Sequence, residues 1–264
     1  MAARTVQQWV DALQESGRYT FLRSEVTQET GGSPGSIKKS LQRLVRHRRI
    51  VKIKDYFFVI MPLEYRAAGS LPASWFIHDL MAAMKLPYYV GLLSAAGLHG
   101  ASHQQPQELQ VVTDRPVRPL RAGRVRLRFF VKKLVDRVPV VDMKTPTGVM
   151  RVSTAEATAV DLVRYPKAAG QLGNVATVLS QLIPVLDGRR LAAAAAQAGD
   201  VRVIQRLGYL LDQVGARRIA ALLSRKIKEL QPKPVLLRPG RPATGCKTNP
   251  RWRVIANETI EIES

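Results

Sequence analysis

The sequence predicts an α+β fold in two parts, a small helical N-terminal domain closed by a hairpin and a larger mixed α/β C-terminal domain. Three observations carry this reading. Residues 33–61 run from a capped helix start through a basic helix into an alternating hairpin. Residues 109–152 hold four short runs of strand character, and residues 153–227 return to helical periodicity. Strands in one block and helices in the next describe segregated α+β layers.

The elements follow in order. Val6, Trp9, Val10 and Leu13 form a helical stripe over 6–15 that stops at Gly17. A short strand is expected at 19–21, and a second helix at 22–30 is stopped by Gly31-Gly32. Ser33 is a suitable N-cap for the third helix, and Pro34 suits its first position. At about 100° per residue, Ile37, Leu41, Leu44 and Val45 share one side of that helix, while Lys39, Gln42, Arg43 and Arg46 fall on the other. Strands at 50–53 and 56–60 close the domain around a turn at Lys54-Asp55. Helix, helix, turn, basic helix and hairpin is the layout of a winged helix-turn-helix DNA reader.

Charge supports the same reading. Residues 36–54 contain eight Lys or Arg and no acid, and the first carboxylate is Asp55 at the hairpin turn. Arg46, His47, Arg48 and Arg49 also complement the negative end of the helix dipole, which alone would explain a cluster there. As a DNA surface, Lys39, Gln42 and Arg43 are assigned to base edges, where Arg and Gln make bidentate contacts. Lys38, Arg46, Arg48, Lys52 and Lys54 are assigned to phosphate, with Ser36, His47 and Arg49 completing the surface. The whole chain has 264 residues, 46% of them hydrophobic, and a formal charge of +21. A field this positive attracts polyanions. Cys246 is the only cysteine, so neither a disulfide framework nor a thiolate zinc site is expected, in keeping with a reducing cytoplasm. No apolar run reaches membrane-spanning length and no signal sequence is expected.

The expected domains are 1–61, a linker over 62–75 rich in Pro, Ala and Ser, and 76–264. The second domain is expected to open with a helix at 75–85 and another at 88–99. Strands follow at 109–113, 125–131, 138–143 and 149–152, the last two joined around Pro146-Thr147-Gly148. A helix capped by Ser153 or Thr154 runs to 164, with Glu156 in its first turn. Further helices are expected at 175–183 before Pro184, at 191–198, at 203–214 before Gly215, and at 219–227. Residues 231–250 read as loop around a short strand at 235–237, and 252–262 as a closing hairpin turning at Asn257-Glu258. Residues 115–133 carry eight more Lys or Arg. Arg124, Arg126 and Arg128 share one strand face, which suits either a supplementary nucleic-acid surface or a charged face that guards against edge pairing.

Five segments of the chain resemble the AbiEi family of antitoxins of type IV toxin–antitoxin and abortive-infection systems. They are Tyr-Tyr-Val-Gly-Leu-Leu-Ser-Ala-Ala-Gly-Leu-His-Gly at 88–100, Gln-Val-Val-Thr at 110–113, Ser-Thr-Ala-Glu-Ala-Thr-Ala-Val-Asp-Leu-Val at 153–163, Arg-Leu-Gly-Tyr-Leu-Leu at 206–211, and Trp-Arg-Val-Ile-Ala-Asn at 252–257. The resemblance lies in their order, since each is made mostly of helix-packing residues. It implies a bacterial autorepressor that binds double-stranded operator DNA and counteracts a nucleotidyltransferase-type toxin, without a stable complex being required. It also implies that the second domain serves antitoxicity and assists DNA binding. Palindromic operators would seat two copies.

A different chemistry is weighed from the residues. Asp114 and Asp142-Met143-Lys144 follow or end strands, loosely matching the two carboxylates and lysine of a Mg²⁺-dependent nuclease. His99 and His103 are four apart, but Gly100 interrupts the helix that would align them, so His99 reads as a packing or capping residue. No phosphate-binding loop, nucleophile elbow or zinc-protease helix is present. The chain is therefore read as a non-enzyme with no cofactor and no metal. A basic RNA-associated protein with a structural wing remains a third reading.

Overall fold

The structure is a computed structural model that describes residues 4–101 and 108–262. It divides into two compact units. The first is Met1–Tyr89 with Gln107–Val135 and Asp142–Arg151, and the second is Val90–Pro106 with Asp136–Val141 and Val152–Ser264.

The first unit begins with α1 (Val6–Glu15), β1 (Thr20–Leu22), α2 (Arg23–Thr30), α3 (Pro34–Arg46), β2 (Ile50–Lys54) and β3 (Phe57–Ile60). Thr5 and Gln8 close a capping box at the start of α1. Gly31, at φ +63°, ends α2 in the left-handed conformation that glycine adopts without strain. The strands form an antiparallel sheet ordered β1-β3-β2, with Thr20 opposite Val59 and Ile50 opposite Ile60. A bulge between Lys52 and Lys54 places Lys54 opposite Phe57, so the turn falls at Asp55-Tyr56, one residue later than expected. Trp9 meets Phe21 edge-on at 5.2 Å, and Phe21 stacks on Phe58 at 5.3 Å. Each of these buried aromatics contributes roughly 1.5–3 kcal/mol of burial energy.

Residues 62–75 are packed rather than loose, so the first compact unit does not end at Met61. Ser70 and Leu71 are buried, and two 3-10 turns occupy Leu63–Tyr65 and Ala73–Trp75. Tyr19 and Tyr65 both set an edge against Trp75, at 5.3 and 5.4 Å. The following helix, α4 (Ile77–Ala83), is tied back by Asp79, which accepts the Thr20 hydroxyl at 2.5 Å.

The larger sheet contains β4 (Tyr88–Val90), β5 (Leu109–Thr113), β6 (Leu120–Ala122), β7 (Val125–Val131), β8 (Val140–Thr145) and β9 (Gly148–Ser153), in the order β6-β7-β5-β4-β9-β8. β5 and β7 are parallel over their five-residue register, and β6 lies antiparallel to β7. Two features depart from expectation. β6 is an additional strand, and β4 replaces the first turn of the helix expected at 88–99. Tyr88, Tyr89 and Val90 are all buried between neighbouring strands, and the helix α5 (Leu92–Leu98) starts only after extended Gly91. A strand covered on both faces is a continuous apolar run, which periodicity cannot separate from a buried helix.

The second unit is mainly helical: α6 (Ala155–Arg164), α7 (Gln171–Leu182), α8 (Gly188–Ala198), α9 (Val201–Gln213) and α10 (Ala221–Leu230). Thr154 caps α6 by accepting the Ala157 amide at 3.2 Å, and every residue from Ala155 to Val163 is buried, which makes α6 the centre of this core. Pro184 converts the end of α7 into the 3-10 turn Ile183–Val185. Three short strands close the unit: β10 (Val235–Leu236), β11 (Thr248–Asn249) and β12 (Val254–Ile255). The hairpin expected at 252–262 does not form. β12 instead pairs parallel with β10 and antiparallel with β11. Beyond β12, the buried Asn257 side chain takes over, accepting the Arg238 amide and donating to the carbonyls of Arg238 and Arg241, each at 2.9 Å. Among the described residues, no helix is long and apolar enough to cross a membrane.

Candidate nucleic-acid interface

α3 owes its orientation to its own sequence. Ser33 caps it, its hydroxyl oxygen accepting the Ser36 amide at 3.3 Å, and Pro34 stands in the first turn. Ile37, Leu41 and Leu44 are buried with Val10, Val26, Phe21 and Phe58. Lys38, Lys39, Gln42, Arg43 and Arg46 are consequently exposed, as are Ser36 and His47. No ion pair to Lys38, Lys39, Arg43, Arg46 or Arg48 is found among the described residues. His47 ends the helix, and Arg48 turns the chain in the left-handed conformation at φ 52°.

Arg49 corrects the expected surface. Its guanidinium turns inward and donates to Asp11 at 2.6 and 3.1 Å, to Gln14 at 2.5 Å and to the Met61 carbonyl at 3.2 Å. With an acid and a carbonyl occupying it, this residue holds α1 and the end of β3 against α3. Val45 is a second correction. The helical stripe puts it on the core face, yet it is 38% exposed.

The exposed side of α3 and the β2–β3 hairpin bound a cleft of about 440 Å³. Leu41, Val45 and Phe58 supply its apolar lining, and Arg23, Lys38, Gln42, Lys52 and Asp55 its polar groups. Lys54 is half-buried beside it. Lys52 Nζ lies 3.0 Å from Asp55. The Lys52 ammonium, by hydrogen bond and by charge, holds the Asp55 carboxyl below the usual carboxylate range, with Arg23 and Lys54 adding to the effect. Sequence reasoning missed Arg23 as part of this site. The available signal was its position, since a cation in the first turn of α2 opposes the helix dipole.

The second basic surface is the β6–β7 hairpin, in the same unit. Arg121, Arg124 and Arg126 are exposed, whereas Arg128 pairs with Glu108 at 3.2 Å and lies over Phe130 at 5.3 Å. Its turn is fixed by contact with the 62–75 segment. The Arg124 amide donates to the Ala68 carbonyl, and a Cβ at Gly123 would sit 2.4 Å from the backbone of Gly69.

The nuclease constellation is not assembled. Asp114 follows β5 and pairs with Arg115 at 3.3 Å, while Asp142 and Lys144 stand on β8. β5 and β8 are three strands apart in the sheet, about 14 Å at the usual strand spacing, too far to share a cation. Among the described residues no group of three His, Cys, Asp or Glu could hold a metal. His99 ends α5 with Nε2 2.7 Å from the Ser153 carbonyl, a packing contact, and His103 lies outside the described residues.

Of the segments that carry the family resemblance, 110–113 lies in the first unit, while 153–163, 206–211, 252–257 and most of 88–100 lie in the second. His99 meets Ser153, whose hydroxyl lies 2.7 Å from that of Thr158 at the buried start of α6. Gly208 of α9 lies directly under Trp252. The indole N–H of Trp252 donates to Asp212 at 2.8 Å, and Arg251 donates to the same carboxylate at 3.1 Å.

No match is found among curated proteins. Among solved structures, the RV2827C protein from Mycobacterium tuberculosis shares the fold, with a TM-score of 0.67 at 16% identity over 94% of this chain and 90% of that one. The family model described as AbiEi antitoxin C-terminal domain matches residues 89–213, a span that runs from β4 to the end of α9. Residues 89–213 are accordingly similar to an AbiEi antitoxin C-terminal domain, a likeness that supports a toxin–antitoxin role.

Proposed function

We propose that this chain is a cytoplasmic autorepressor that binds operator DNA through a winged helix-turn-helix and an antitoxin that counteracts a nucleotidyltransferase-type toxin. The DNA-binding half rests on one observation. The exposed side of α3 presents Lys38, Lys39, Gln42, Arg43 and Arg46 together, with Lys52 and Lys54 on the adjoining hairpin and Asp55 as the only acid in residues 30–63. α3 enters the major groove, Lys39, Gln42 and Arg43 meet base edges, and the remaining cations meet phosphate. The Arg121, Arg124 and Arg126 surface adds backbone contacts, and a palindromic operator holds two copies. The antitoxin half is supported by the family likeness of residues 89–213.

Gel shifts with the duplex upstream of the chain's own gene test the first half. Arg43→Ala is expected to weaken operator binding by about 1–3 kcal/mol and to relax sequence preference. Lys52→Ala is expected to weaken every duplex alike. Unchanged affinity in both variants rejects the assignment. Co-expression with an adjacent nucleotidyltransferase gene tests the second half: restored growth supports it, and continued arrest rejects it.

A further inference from the structure

Asp55 stands in a place where a DNA surface has no evident use for a carboxylate. It is the only acid in residues 30–63, it lines the cleft between α3 and the β2–β3 hairpin, and its nearest cation is Lys52 at 3.0 Å. The pair is highly exposed, with 52% of the Lys52 side chain and 86% of the Asp55 side chain accessible. Lys38 and Gln42 face the same cleft from α3, one helical turn apart, and Arg23 faces it from the start of α2. The cleft therefore gathers three cations and one anion over an apolar floor. When a helix lies in one groove of a duplex and a hairpin lies over the next, the backbone strand dividing the two grooves passes between them.

We propose that Asp55 is an intramolecular competitor for phosphate, neutralising Lys52 while the cleft is empty and releasing it when a DNA backbone strand enters. This rests on the DNA-binding reading above and adds to it a built-in attenuation of affinity. An exposed ion pair of this kind is weak and exchanges readily, so it lowers affinity without blocking binding. Exchange has a further consequence. The phosphate that receives Lys52 releases a counterion, but the freed carboxylate takes one up, so this lysine contributes little to the salt dependence. The cleft carries a repulsive element beside its attractive ones, which restrains capture by any passing polyanion.

The test compares wild type, Asp55→Asn, Lys52→Ala and the double variant on operator and random duplexes across a salt series. Asparagine keeps the turn preference of residue 55, and thermal unfolding of each variant verifies the fold. Asp55→Asn is expected to tighten both duplexes by about three- to tenfold at low salt and to steepen the salt slope by about one. In the Lys52→Ala background the same substitution is expected to change the slope by nothing. Equal gains in both backgrounds indicate simple repulsion and overturn the competitor role, as does an unchanged affinity. In wild type, the Asp55 carboxyl followed by NMR is expected to titrate at higher pH once duplex is added, and an unmoved titration overturns the proposal without any substitution. A wild-type protein that binds no duplex at low salt rejects the DNA-binding reading itself, whereas one that binds and fails the Asp55 tests rejects only the competitor.

Discussion

Arg49 and Arg43 are alike in sequence context and opposite in use. Arg43 points to solvent, while Arg49 is held by Asp11, Gln14 and the Met61 carbonyl. Nothing local distinguishes them, because Asp11 lies 38 residues earlier in the chain. Arg49→Ala is expected to lower stability by about 1–3 kcal/mol, by leaving these acceptors unpaired, and to leave the salt slope of DNA binding unchanged. Denaturant unfolding beside a salt-series gel shift checks both parts, and a flattened slope would return Arg49 to the DNA surface. Gly208 makes the same point in the second unit. A Cβ there would lie 2.1 Å from the Trp252 ring, so Gly208→Ala is expected to cost roughly 3 kcal/mol or more. Trp252→Leu should recover part of that loss in the double variant, and strict additivity in a double-mutant cycle would refute the contact.

At the scale of elements, legibility follows the source of the signal. α3 could be read because its cap, its proline and its apolar stripe are all local, and the structure keeps the cap, the proline and all of the stripe but Val45. Ser33→Ala is expected to destabilise the first unit by about 1 kcal/mol through the lost cap. β4 could not be read, since its partners are distant and a Tyr-Tyr-Val run has no period. The closing hairpin failed for a related reason: the Asn257 amide supplies the hydrogen bonds that a returning strand would have made, and no propensity scale records that. Caps also carry the pH dependence. The amides of Arg190 and Arg189 hold the Asp187 carboxyl at the start of α8 below the usual range. The folded value is the lower one, so this stabilisation is complete above the unfolded carboxylate pKa of about 3.9 and disappears as pH falls through the folded value. Asp187→Asn is expected to remove that part of the acid limb of the stability curve. An acid limb unchanged by the substitution would show that the cap is not linked to folding.

For the molecule as a whole, the question is whether the +21 charge is solubility or design, and the β6–β7 hairpin separates the two. Arg121 and Arg126 are directly opposed across the strand pair, and both are exposed. Like charges in that position destabilise a sheet, by up to roughly 1 kcal/mol, so a chain shaped only for solubility gains nothing by placing them there. If the hairpin adds phosphate contacts, replacing Arg126 should move stability and binding in opposite directions. Arg126→Thr is expected to raise the unfolding free energy by a few tenths of a kcal/mol, since it removes the repulsion and supplies a residue with strand preference. The same change should weaken operator and random duplex alike and reduce the salt slope by about one. Arg128 serves as the comparison, because Glu108 already neutralises it and Arg128→Thr should alter the slope less. A stabilised Arg126 variant with an unaltered slope would assign the hairpin's charge to guarding the β6 edge, and would confine DNA binding to α3 and the β2–β3 hairpin.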